Sequence, residues 1–100
     1  MPTAFFLTKL KPRVNAKDYE KWVYSSDYPT AKKMKSIKSY HVHRINGAFQ
    51  GDKTYDYIEV IEITDLDEYG KDLNSDAGKK LLAEWSNYIG ESVTVYGEKI

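Results

Sequence analysis

An α+β domain of the split βαβ, ferredoxin-like type is predicted, with a four-stranded antiparallel sheet carrying two helical regions on one face. Three features of the chain predict it. Apolar residues recur in the order β-α-β-β-α-β. The length, 100 residues, suffices for one modest core, so residues 1–100 are expected to form a single domain. The strands are also apolar on both parities: Phe5 and Leu7 against Phe6 and Leu10, and Ile61 and Ile63 against Ile58 and Val60. Helices cover only one face of such a sheet, and the other would leave a large apolar patch in water. The expected solution is a homodimer through the sheet face, a dimeric α/β barrel.

Each element follows from local pattern. Thr3 to Lys11 is β-rich and closed by Pro12. Asn15 and Asp18 resemble a capping pair, and Tyr19, Trp22 and Val23 then recur at helical spacing, so a helix starts near Ala16. Ser25, Ser26, Asp27 and Pro29 are expected to break it before a renewed segment with Ala31 and Met34. SYHVHRI (Ser39–Ile45) and YDYIEVIEI (Tyr55–Ile63) alternate as two strands joined by a loop with Gly47, Gly51 and Asp52. Thr64 or Asp65 caps the second helical region, and Ser75 restarts it. Leu81, Leu82, Trp85, Tyr88 and Ile89 form its face, Gly90 stops it, and Ser92–Tyr96 is the last strand.

Composition narrows the function. Fifteen Lys and Arg balance fifteen Asp and Glu, so no bulk field draws nucleic acid or an anionic membrane. The absence of cysteine excludes disulfides, thiol catalysis and Cys-based zinc sites. No phosphate-binding or nicotinamide fingerprint occurs. Without a signal-type N-terminus or an apolar run of about 18 residues, a cytoplasmic protein is expected. Aromatic residues make up 14% of the chain, nine of them Tyr, and suit a small aromatic ligand.

Strand periodicity puts His41 and His43 on one face of the second strand, and Tyr57 and Glu59 on one face of the third. Either of two even registers brings a His opposite Glu59 with Tyr57 nearby. A carboxylate orienting an imidazole beside a phenol is what proton transfer needs, although the same cluster also serves as a neutralised pair at a seam. Tyr19, Trp22 and Trp85 could wall a pocket for a flat ligand, with Asp27 and Tyr28 at its mouth, or simply fill the core. The two His with Glu59 could chelate a metal, but one carboxylate is thin support, and neither metal nor cofactor is predicted.

The segments DYEKWVYSSDYP (Asp18–Pro29), SYHVHRINGAF (Ser39–Phe49) and SDAGKKLLAEWSNYIGES (Ser75–Ser92) resemble the RedY-like proteins of red tripyrrole (prodiginine) pigment biosynthesis, over nearly the whole chain. More broadly the pattern is similar to the dimeric α/β barrel superfamily, with its cofactor-free monooxygenases, polyketide cyclases and isomerases. The resemblance implies bacterial secondary metabolism, a small aromatic or pyrrole-type ligand, and acid/base steps such as dehydration or cyclisation. Superfamily enzymes of that kind use a strand His with Tyr or carboxylate support. The matching types here make His43 the expected acid/base with His41 as fallback, Glu59 its orienting partner, Tyr57 a donor to a developing oxyanion and Trp22 a stacking wall. The alternatives are a non-catalytic carrier of a pigment precursor and a cofactor-free monooxygenase of aromatic substrates.

Overall fold

The computed structural model describes residues 1–100. Strands β1 (Pro2–Leu10), β2 (Ile37–Arg44), β3 (Tyr57–Ile63) and β4 (Ile89–Glu98) form one antiparallel sheet in the order β2-β3-β1-β4. The two strands that are apolar on both parities, β1 and β3, take the centre. Helices α1 (Ala16–Trp22), α2 (Tyr28–Lys32), α3 (Leu66–Asn74) and α4 (Asp76–Trp85) pack on one face. The α+β ferredoxin-like class is as expected. No helix is long and apolar enough to cross a membrane.

The first helical region starts where Asn15 caps it, its side chain accepting from Lys17 N–H at 2.8 Å. The expected break at Ser25–Pro29 does not occur. Val23–Asp27 instead wind as one π-helical turn, in which Tyr28 N–H bonds back to Val23 C=O. Pro29 then falls in the first turn of α2, where its missing N–H costs little. Val23, Asp27 and Ala31 succeed one another at steps of four. In a regular α-helix each such step overshoots the turn by about 40°. The wider turn absorbs that overshoot, so all three side chains stay buried on one face.

The second region is two helices. Asp65 caps α3 by accepting from Glu68 N–H at 2.7 Å, and Ser75 caps α4 by accepting from Gly78 N–H at 3.2 Å. Gly78 sits against the end of α3: a Cβ there would lie within 2.6 Å of the Leu73 carbonyl oxygen and collide with that of Asp72. Gly78→Ala is therefore expected to prise the two helices apart and lower the unfolding free energy by about 2–4 kcal/mol, read by urea denaturation. A variant with wild-type stability would show that the junction yields. Gly90 does not stop α4. The helix ends at Trp85, Ser86–Tyr88 turn, and Gly90 lies within β4, because Ile89 must already be in the sheet to bury beside Leu10.

Register decides which side chains meet. In the β2–β3 pair, His41 lies opposite Val60, Val42 opposite Glu59 and His43 opposite Ile58. This is one residue away from both expected registers, and a one-residue offset sends every side chain of the strand to the other face. The cause is burial: Tyr40 and Val42 pack with the helix-side core, and an irregularity between Ile37 and Ser39 lets Ile37 pack there as well. The expected His–Glu pair therefore does not form. His41 and His43 stand on the outer face with Phe5, Leu7, Ile58, Val60, Val93 and Val95, facing away from Glu59 and Tyr57.

Candidate active site

Glu59 lies in the middle of β3 on the helix side, between Tyr57 and Ile61, and is 4% exposed. Asp27, the last residue of the π turn, is 2% exposed. The phenol oxygen of Tyr40, from β2, stands between them, 2.5 Å from Asp27 Oδ2 and 2.5 Å from Glu59 Oε1. Trp85 Nε1 on α4 donates to the remaining oxygen, Glu59 Oε2, at 3.2 Å. Four elements thus converge on one buried pair of acids.

Proton counting constrains this trio. A phenol has one proton to donate, and an ionised carboxylate can only accept. Tyr40 can donate to one acid, so the second short contact requires a protonated carboxyl that donates to the Tyr40 oxygen. No cation offsets the charge, since the salt bridges, Arg44–Glu20 and Lys53–Asp56, lie elsewhere. Burial pushes Glu59 up to about 7; the Asp27 charge adds to this, while the Tyr40 and Trp85 donors oppose it. Burial likewise pushes Asp27 up to about 6 against the pull of Tyr40. Near neutral pH the pair shares about one proton, as two neighbouring acids do when ionising both is too costly. Burial and then the two acids hold the Tyr40 phenol well above its ordinary range, so it stays protonated and can relay.

The acids face a narrow apolar cavity of about 40 Å³, walled by Phe6, Met34, Ile61, Leu73, Leu81 and Leu82. This is room for a few water molecules and not for a ring system. Tyr69 also lines it, its phenol pushed up by burial and by the negative field of Glu59 and Asp27. Leu82 is the exposed residue of the rim, next to a stretch of sheet that the helices leave open: Thr94 and Tyr96, beside Phe6 and Ala4, are both exposed.

The chain matches the model of the REDY-like protein HapK family over residues 2–100. It belongs to that family. The crystal structure of HapK from Hahella chejuensis superimposes with a TM-score of 0.86 at 29% identity, covering 100% of this chain and 93% of that one. Two more distant structures show the shared fold alone. One is a dimeric ferredoxin-like protein from Thermobifida fusca (TM-score 0.77, 17% identity, 96% and 88% coverage). The other is a hydroxynitrile lyase from Passiflora edulis (TM-score 0.80, 10% identity, 96% and 90% coverage). None of the curated proteins matches the chain.

In this REDY-like chain the register leaves His41 and His43 on the outer face, and the other residues singled out from sequence divide into three groups. Asp27, Glu59 and Trp85 come together at the cavity. Tyr19 and Trp22 are core: Tyr19 is fully buried against Tyr57 at 4.8 Å, and Trp22 Nε1 donates to Glu84 at 2.9 Å, tying α1 to α4. Tyr57 turns from Glu59 and donates to Glu20 Oε2 at 2.6 Å, beside Arg44, while Tyr28 accepts from Val42 N–H at 2.8 Å. Tyr40 and Tyr69 were not anticipated. A signal for Tyr40 exists in the sequence: it alternates with Val42, opposite in parity to the histidines, so a register that buries Val42 also buries Tyr40 beside the acid of β3.

Proposed function

We propose that the chain is a small, cofactor-independent acid/base protein of bacterial prodiginine-type pigment metabolism that acts on a flat heteroaromatic intermediate by dehydration or cyclisation. The observation that carries the reading is the Tyr40 phenol at 2.5 Å from two buried carboxyls. An acid that titrates near neutrality both gives and takes a proton at working pH. In this reading Glu59 is the acid/base, Asp27 holds its proton in exchange through Tyr40, and Phe6 and Trp85 wall the approach. The family membership supports the metabolic setting. The narrow cavity favours one second reading, an accessory protein that binds a precursor without converting it.

His41 and His43 are assigned no part in the proton chemistry, since the register turns both from Glu59. They belong with the outer face, through which we infer that two copies pair. The apolar row of that face supports the pairing.

Tyr40→Phe tests the acid/base reading. It keeps the ring and removes the relay, so turnover of a pathway intermediate is expected to fall by roughly 10²-fold or more, whereas His43→Ala leaves turnover unchanged. Carbon-13 NMR of the carboxyl groups should show an inflection between about 6 and about 7 in the wild type. That inflection should move upward in Tyr40→Phe, because a hydrogen bond to the ionised form is lost. Undiminished turnover by Tyr40→Phe overturns the reading, and binding of the intermediate with no product in the wild type favours the accessory role.

A further inference from the structure

Outside the acid cavity, a groove of about 510 Å³ runs between α2 and the free edge of β2. Its floor is apolar: Ala31, Ile37 and the rings of Tyr28 and Tyr40, which meet edge to face at 5.4 Å. Lys32 from α2 and Lys38 from β2 flank it, both exposed, with His41 and Ser39 completing the wall, and no carboxylate lines it. The edge of β2 supplies a directional contact. Val42 N–H points out of the sheet to Tyr28 Oη, and strand alternation aims the Tyr40 peptide the same way two residues earlier, where no strand pairs with it.

We propose that this groove binds a planar conjugated carboxylate, its rings on the Tyr28 and Tyr40 faces, its anionic group between Lys32 and Lys38, and a ring polar atom on the Tyr40 peptide. The volume lies within the range of roughly 300–1,000 Å³ typical of small-molecule sites, which the acid cavity does not reach. An apolar floor between two cations selects a flat anion over a neutral ring or a compact anion such as phosphate. Groove and cavity share Ala31, Ile37 and Tyr40, so a bound ring lies against the Tyr40 side chain whose hydroxyl bridges the acids. This deepens the acid/base reading by naming a substrate class, and it rests on that reading for the link to chemistry but not for binding.

Nitrogen-15 NMR titration with 2-naphthoate, and with 2-naphthamide as the uncharged control, tests it. Naphthoate is expected to shift the amide signals of Lys32 and Lys38–His41, and the amide to bind more weakly. The double substitution Lys32→Ala, Lys38→Ala should weaken naphthoate by roughly 10-fold, the product of two exposed ion pairs, and leave naphthamide unchanged. Absence of naphthoate binding at millimolar concentration, shifts centred elsewhere, or indifference to the double substitution overturns the groove. Naphthoate binding that depends on both lysines, in a protein with no carboxyl titrating near neutrality, supports the groove and overturns only the proton reading.

Discussion

Glu59→Gln should make the protein more stable above neutral pH while removing its acid/base capacity. The sign follows from linkage. The folded-state pKa of Glu59 is raised from 4.5 to about 7, so between those values the folded state holds more protons than the unfolded chain, and stability falls as pH rises. A shift of that size corresponds to about 3 kcal/mol lost across the window. The amide is isosteric, does not titrate, and can still accept from Trp85 and bond Tyr40, so this part of the loss disappears. Asp27, raised to about 6, continues to titrate, and the fall with pH is therefore reduced by about half. Urea denaturation at pH 5 and pH 8 reads the effect. A parallel pH slope in wild type and variant would sink the buried-pair description. Turnover of the pathway intermediate should drop by roughly 10²-fold or more in the same variant, so stability and function move in opposite directions, as they do when an active site stores unfavourable burial.

Phe5→Asp should convert a dimer into a folded monomer. Phe5 lies at the centre of the outer face, opposite Val60 on one side and Val95 on the other. In the paired state two carboxylates, one per copy, would be buried without partners, at a cost of at least about 5 kcal/mol in association, or more than roughly 10³-fold in Kd. Because the substitution points away from the helix-side core, the monomer keeps its fold. Light scattering should give twice 11.6 kDa for the wild type and 11.6 kDa for the variant. A monomeric wild type, or a variant that stays dimeric, would exclude this face as the interface.

Much of the architecture was legible because it follows from period and capping. Asn15 and Ser75 cap the helices they were expected to cap, Asp65 rather than Thr64 caps α3, and the double parity of β1 and β3 marks them as central strands. Two local devices were not legible. A π turn has no composition of its own, and Ser25-Ser26-Asp27 with Pro29 reads more readily as a break than as a wide turn. The irregularity between Ile37 and Ser39 moves the β2 register by one residue, which alternation alone does not reveal, since SYHVHRI alternates equally well either way. That one residue exchanges two histidines for Tyr40 beside Glu59. Of the groups that converge at the cavity, Asp27, Glu59 and Trp85 were therefore named from sequence, Asp27 and Glu59 in other roles, and the phenol that joins the acids was not.

The acid–phenol–acid trio is drawn from the end of a π turn, an edge strand and a central strand. In a chain that has not closed its β2–β3 hairpin and docked its first helix, Asp27 and Glu59 are two ordinary carboxyls in water. Their near-neutral titration exists only in the closed molecule. A carboxyl signal followed during refolding at about pH 6 would thus serve as a built-in clock, timing the last of these closures independently of helix formation.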